Sequence, residues 1–120
     1  MKVTPRMRRV NESLRQVLSE AVGDLADPRL GFVTVTAVEC TPDFDQAVVH
    51  VQVLGDEQAR RRGLEGLEHA RGALQERIAR EVRVRRVPRL SFAYDDSLDR
   101  GMRIDALLAA NPPVDREDGE

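Results

Sequence analysis

The sequence predicts a single two-layer α+β domain in which helices pack one face of a three-stranded sheet. Three observations lead there. Apolar residues recur at helical spacing through the first 25 residues and again from about 57 to 82. Between these stretches, and once after them, short β-branched or aromatic runs alternate with polar residues. The chain has 120 residues, 41% apolar and 33% charged, which suffices for one core and leaves no room for a second domain.

The first helix opens at Thr4-Pro5, a good N-cap followed by proline at the first helical position. Its apolar stripe is Val10, Leu14, Val17, Leu18, Ala21, Val22 and Leu25. The run Asp27-Pro28-Arg29-Leu30-Gly31 cannot continue a helix, and residues 32–38 alternate as a strand. Thr41-Pro42-Asp43-Phe44-Asp45 reads as a turn, after which Ala47, Val49, Val51 and Val53 recur at period two. The two strands are expected to form an antiparallel hairpin, with Cys40 a small hydrophobe at a strand end. A second helix runs from Glu57 to about His69, breaks at Gly72 and resumes through Leu74, Ile78 and Val82. Leu90, Phe92 and Tyr94 fall on one face of a third strand, with Pro88 at its start or on an edge. A last short helix through Met102, Leu107 and Leu108 stops at Asn111-Pro112-Pro113. Residues 1–110 are thus expected to form the domain and 111–120 an acidic, disordered tail.

The net charge of -2 conceals a segregation. Residues 1–38 carry +2, 39–58 carry -5, 59–103 carry +5 and 104–120 carry -4. Six arginines (Arg77, Arg80, Arg83, Arg85, Arg86 and Arg89) fall within thirteen positions, opposed in that run only by Glu81. Such a run is either a solvated helix face or a phosphate-binding surface. The loss of carboxylates in its later half favours phosphate. Arg6, Arg8 and Arg9 lie near the start of the first helix, where the macrodipole disfavours cations, so helix stability does not explain them.

A helix pair joined at a small-residue break beside a short sheet is the layout of a KH-type fold. Small side chains at Ala70-Arg71-Gly72 would let backbone N–H groups approach a phosphate, with Arg71 adding charge. Alternatively, Gly72 only ends one helix and lets the next pack tightly. The literal GXXG at Gly63-Leu64-Glu65-Gly66 is read as structural, because Leu64 and Leu67 belong to a helical stripe and Glu65 would repel phosphate. One tyrosine, three phenylalanines and no tryptophan are too few for a base-stacking platform, and Phe92 and Tyr94 fit the core. Binding is therefore expected to rest on shape and phosphates. His50 and His69 lack partners for a metal site, and Asp43, Asp45, Asp95 and Asp96 flank strand ends as turn residues. No P-loop or Ser-His-Asp arrangement is present. One cysteine, no membrane-length apolar run and no signal-like N-terminus point to the cytosol.

Arg9-Val10, Asp27-Pro28-Arg29-Leu30-Gly31 before Val33-Thr34-Val35, Asp43 in the turn, Ala47-Val48-Val49-His50-Val51, Ala70-Arg71-Gly72, and Arg85-Arg86-Val87-Pro88-Arg89-Leu90-Ser91-Phe92 running into Asp95-Asp96-Ser97 occur in an order and spacing that resembles the ribosome-binding factor A family. The resemblance spans residues 5–108. It implies a type II KH-like domain (α-β-β-α-α-β) in which an Ala-X-Gly kink, here Ala70-Arg71-Gly72, replaces GXXG. It also implies a bacterial assembly factor, linked to cold adaptation, that binds the immature small (30S) ribosomal subunit through 16S rRNA and assists its late maturation and 5′-end processing. No enzyme activity and no cofactor are implied, and an assembly GTPase is a candidate second partner. The residues expected to hold RNA are Arg6, Arg8, Arg9, Arg29, Ala70, Arg71, Gly72, Arg77, Arg80, Arg83, Arg85 and Arg86. The protein is expected to be monomeric, because no apolar stripe is left over for a dimer. Two other readings stay open: an interaction module whose arginines meet an acidic protein, and a KH-like RNA binder not dedicated to the ribosome.

Overall fold

Helix α1 (Pro5–Gly23) begins where its capping residues place it, in a computed structural model that describes residues 3–97. The Thr4 hydroxyl accepts from the Met7 N–H at 3.1 Å, a cap whose loss costs about 1 kcal/mol. Leu14, Leu18, Ala21 and Val22 are buried, and Met7 extends the stripe one turn earlier than the sequence predicts. After α1 the chain turns back over Asp27, whose carboxylate accepts the Arg29 N–H at 2.9 Å and the Arg29 guanidinium at 3.1 and 2.7 Å. Gly31 follows at φ 56°, a conformation that disfavours side chains. This tight turn drives Leu30 into the core.

Strands β1 (Val33–Cys40) and β2 (Gln46–Val53) form the predicted antiparallel hairpin, from Val33 opposite Val53 to Cys40 opposite Ala47. Its register shifts between Val35 and Ala37, which leaves Thr36 as a bulge. Core-facing residues therefore change phase, with Val35 buried before the bulge and Val38 and Cys40 after it. The Thr36 hydroxyl donates to the Asp95 carboxylate at 2.6 Å. That bond ties the bulge to the end of β3 (Arg89–Tyr94). Sheet order is β1-β2-β3, with β3 parallel to β2. A parallel neighbour requires a crossover. Here α2 (Glu57–His69) and α3 (Arg71–Glu81) supply it.

Helices and sheet enclose Leu14, Leu18, Val49, Val51, Leu67, Leu74, Ile78 and Leu90, all essentially without solvent contact. Truncating any of these leucines to alanine is worth about 2–5 kcal/mol. No polar side chain is buried among the described residues. Cys40 is buried at the end of β1, where desolvation pushes its thiol up to about 11. It is a packing residue there. The break between α2 and α3 falls at the single residue Ala70, the C-cap of one helix and the N-cap of the next, so Gly72 lies inside the first turn of α3. The helix expected through Met102, Leu107 and Leu108, and the tail from residue 111, lie outside the described residues.

Gly63 and Gly66 sit within α2 and are buried, as the structural reading of this GXXG requires. A Cβ on Gly66 would stand 3.0 Å from Leu30 Cδ2, and one on Gly63 would stand 3.2 Å from Val53 Cγ2. Glycine at these two positions lets α2 settle against the Leu30 turn and the end of β2.

Candidate nucleic-acid interface

Helix α3 packs against α1. Arg77 reaches Asp24 just beyond the end of α1, at 3.1 Å. At the other end, Arg6 and Val10 from the start of α1 share a cleft of about 330 Å³ with Arg83, Val84, Arg85 and Arg86 from the α3–β3 connection. Four of the expected RNA-binding residues, some eighty positions apart in the chain, thus face one cavity. Asp43, Phe44 and Pro88 complete its lining.

The remaining arginines divide by partner. Arg77 is held by Glu81 at 2.6 Å as well as by Asp24, and those two carboxylates raise its pKa in that order. Arg86 is oriented by Asp45 at 2.8 Å but stays largely exposed. In sequence Glu81 alone opposes the run; folding adds Asp24 and Asp45 from 53 and 41 residues away. Arg80, Arg83 and Arg85 are exposed and make no ion pair among the described residues. Each presents its charge to solvent.

At the other end of α3, about 16 Å away for an eleven-residue helix, stands the kink. Ala70 contributes no side-chain cap, and the first turn of α3 holds no carboxylate. The start of that helix therefore has no side-chain cap and no carboxylate of its own, and the nearest one, Glu68 of α2, is engaged by Arg71. A Cβ built on Gly72 finds nothing within 4 Å, and its backbone is not left-handed. Among the described residues neither packing nor backbone geometry calls for glycine there. Arg71 pairs with Glu68, and its Nε is buried without a hydrogen-bond partner. Arg29, locked to Asp27, lines a shallow surface with Arg61, Glu65, Glu68 and His69, next to Ala70. The Arg29 hydrogen bonds, then burial acting the other way, leave the Asp27 carboxyl at about 2.

Arg8 turns away from the cleft, toward Asn11, Arg15 and residues 36–38 of β1, and Arg9 is exposed outside both surfaces. Three residues that the sequence reading passed over belong to these surfaces. Phe44 lines the cleft with the Arg6 guanidinium 5.4 Å from its ring centre. Arg61 lies beside Arg29, and Arg62 lies beside Gly31 and Leu54. The run Arg60-Arg61-Arg62 was the visible signal, but the three diverge around α2, and Arg60 lies over the Tyr94 ring at 4.4 Å. Among the described residues no cluster of His, Cys, Asp or Glu is arranged for a metal ion. His50 instead meets Glu39 across the hairpin at 2.9 Å.

Fold and surface define a small α+β domain with cationic contacts at both ends of one helix. The family model for ribosome-binding factor A matches residues 6–108, and this chain belongs to that family. Ribosome-binding factor A of Macrococcus caseolyticus is 45% identical over 105 residues, covering 87% of this chain and 92% of that protein. The Halorhodospira halophila protein is 43% identical over 117 residues, covering 94% and 93%. The crystal structure of ribosome-binding factor A from Thermus thermophilus superposes with a TM-score of 0.67 at 34% identity, over 73% of this chain and 93% of that one. The solution structure of the Thermotoga maritima relative gives 0.71 at 32% identity, over 81% and 93%. A homology model of the T. thermophilus factor, fitted into a cryo-EM map of a 30S–RbfA complex, gives 0.61 at 35%, over 72% and 91%.

Proposed function

We propose that this chain is a non-catalytic assembly factor that binds the immature small ribosomal subunit through 16S rRNA and assists late maturation of that RNA, including processing of its 5′ end. The observation that carries this reading is the cationic cleft at one end of α3 with the open glycine kink at the other. Arg6, Arg83, Arg85 and Arg86 converge at one end, Arg80 is unpaired between, and the open-faced Gly72 with its uncapped helix start lies at the other. A helix start without a side-chain cap suits a phosphate, and guanidinium groups suit an rRNA backbone. The family supports the ribosome as the source of that RNA, since a relative has been fitted into a 30S complex.

In this reading Ala70-Arg71-Gly72 takes the place of the nucleotide-clamping loop of a type II KH domain, within a binding domain spanning residues 1–110. The protein works as a cytosolic monomer without a cofactor. An assembly GTPase is a second partner to test. No helix among the described residues is long and apolar enough to cross a membrane.

The test is co-sedimentation of the purified protein with separated small and large subunits at low and high salt. Salt-sensitive association with the small subunit alone is expected. About five phosphate contacts give a log–log salt slope near -3.5. Arg80→Glu combined with Arg83→Glu is expected to weaken binding by well over tenfold with the thermal midpoint preserved. Unchanged affinity of that double variant would remove the arginine face from the site, and nuclease-resistant capture of an acidic protein would replace RNA as the ligand.

A further inference from the structure

The cleft between the start of α1 and the α3–β3 connection is more than a row of guanidinium groups. Its rim carries Arg6, Arg83, Arg85 and Arg86, but its floor is apolar, formed by Val10, Phe44, Val84 and Pro88. At about 330 Å³ it lies at the small end of the range of sites that enclose small organic groups. A duplex does not fit such a space. A single base with its sugar does.

Phe44 is the feature that most needs explaining. It is the one non-glycine residue at positive φ (58°) among the described residues. Glycine or asparagine would serve the turn alone, whereas a bulky side chain is strained in that conformation. Such strain persists where the surroundings hold a side chain in place, and it concentrates at functional sites. The surroundings here are rigid. The Phe44 N–H donates to the Thr41 carbonyl and the Thr41 N–H to the Gln46 carbonyl, both at 2.8 Å. The Asp43 carboxylate accepts from the Thr41 hydroxyl at 2.7 Å and from the Asp45 N–H at 3.0 Å. Asp45 in turn holds Arg86 at 2.8 Å. The same turn thus fixes an aromatic ring, half-buried against the core, and the guanidinium beside it.

We propose that this cleft takes one unstacked nucleotide of the bound RNA, with its base on the Phe44 ring in the place the Arg6 guanidinium now covers, and its flanking phosphates against Arg83 and Arg85. Charge sets the direction. At the Phe44 end Asp43 and Asp45 stand beside Arg6 and Arg86 and largely offset them, whereas Arg83 and Arg85 meet no carboxylate among the described residues and are left to draw phosphate. The inference rests on the RNA-binding reading above and adds to it one contact that depends on a base rather than on phosphate.

A fluorescence-anisotropy comparison tests it, using a seven-nucleotide single-stranded RNA and an abasic ribose-phosphate oligomer of equal length. The two carry the same phosphates, so an all-electrostatic site binds them alike. The wild-type protein is expected to prefer the base-bearing oligomer by roughly five- to hundredfold, the range of one base stacked on an aromatic ring. Phe44→Leu keeps an apolar side chain over the core and is expected to bring the ratio near one with the salt slope unchanged. Phe44→Tyr is expected to restore it. Thermal melts of each variant establish that the fold is intact.

Equal binding of the two oligomers by the wild-type protein, binding of neither at low salt, or an unchanged ratio in Phe44→Leu would overturn the proposal. So would adenosine monophosphate binding as tightly as the heptamer, which would make the ligand a free nucleotide. Co-sedimentation with the small subunit is measured in parallel. If it persists while the base preference is absent, the RNA-binding reading stands and the nucleotide cleft alone fails.

Discussion

Gly63 and Gly66 lie on the inner face of α2, where a side chain would press on Val53 and Leu30, whereas Gly72, six residues beyond Gly66, faces open space. The GXXG spelling belongs to the packed pair. The kink carries the glycine that meets no neighbour among the described residues. A glycine motif therefore says little until its surroundings are known: the first two glycines let helix and turn close together, and the third leaves room for something from outside.

Enlarging each kind of glycine separates the two roles. Gly66→Leu forces the Leu30 turn off α2 and is expected to cost about 1–3 kcal/mol of stability, the usual range for overpacking. Denaturant unfolding reads that loss, while the folded fraction should bind small subunits as before. Gly72→Leu should do the reverse. It adds helix propensity worth at most about 1 kcal/mol, so the thermal midpoint holds or rises. Subunit affinity is expected to fall at least tenfold, because the side chain stands where a phosphate would approach. Stability loss at Gly72 with normal binding would erase the contrast.

The smallest expected effect concerns the turn that Gly66 receives. Asp27 holds Arg29, and its folded pKa of about 2 lies below the ordinary value of 3.8. A depressed carboxyl pKa contributes stability that is present above the ordinary value and is lost as pH falls toward the folded one. Melting midpoints should therefore drop between about pH 4 and pH 2, and Asp27→Asn should flatten part of that slope. Asp95, also at about 2 through its bonds from Thr36 and Ser97, adds to the same window. Identical acid profiles for wild type and Asp27→Asn would show that the turn is held by packing alone.

Much of this was legible in the chain because the signals were local. Thr4-Pro5 marks the start of α1, the period-two valines mark the hairpin, and Pro88 before Leu90 marks the third strand. The Thr36 bulge was less visible, although Val35 and Val38 falling out of phase is its trace. Arg77 to Asp24 and Arg86 to Asp45 join residues that only the fold brings together, so the local count of carboxylates overstated how many arginines are unpaired. The helix break expected across Ala70-Arg71-Gly72 is taken up by Ala70 alone. Ala70 accommodates the bend with an unremarkable backbone (φ -91°, ψ 4°), and Gly72 drew attention as the weaker helix former. Phe44 gave no warning at all, since backbone strain at a single turn residue has no signature in composition or periodicity.

The central claim is that the open kink and the arginines along α3 hold RNA of the small subunit. Side-by-side co-sedimentation of wild type and Gly72→Leu with isolated small subunits, on preparations with matched melting midpoints, tests it most directly. At least tenfold weaker association is expected of the variant at unchanged stability. Association equal to wild type would contradict it, and would leave Gly72 a glycine without a role in binding.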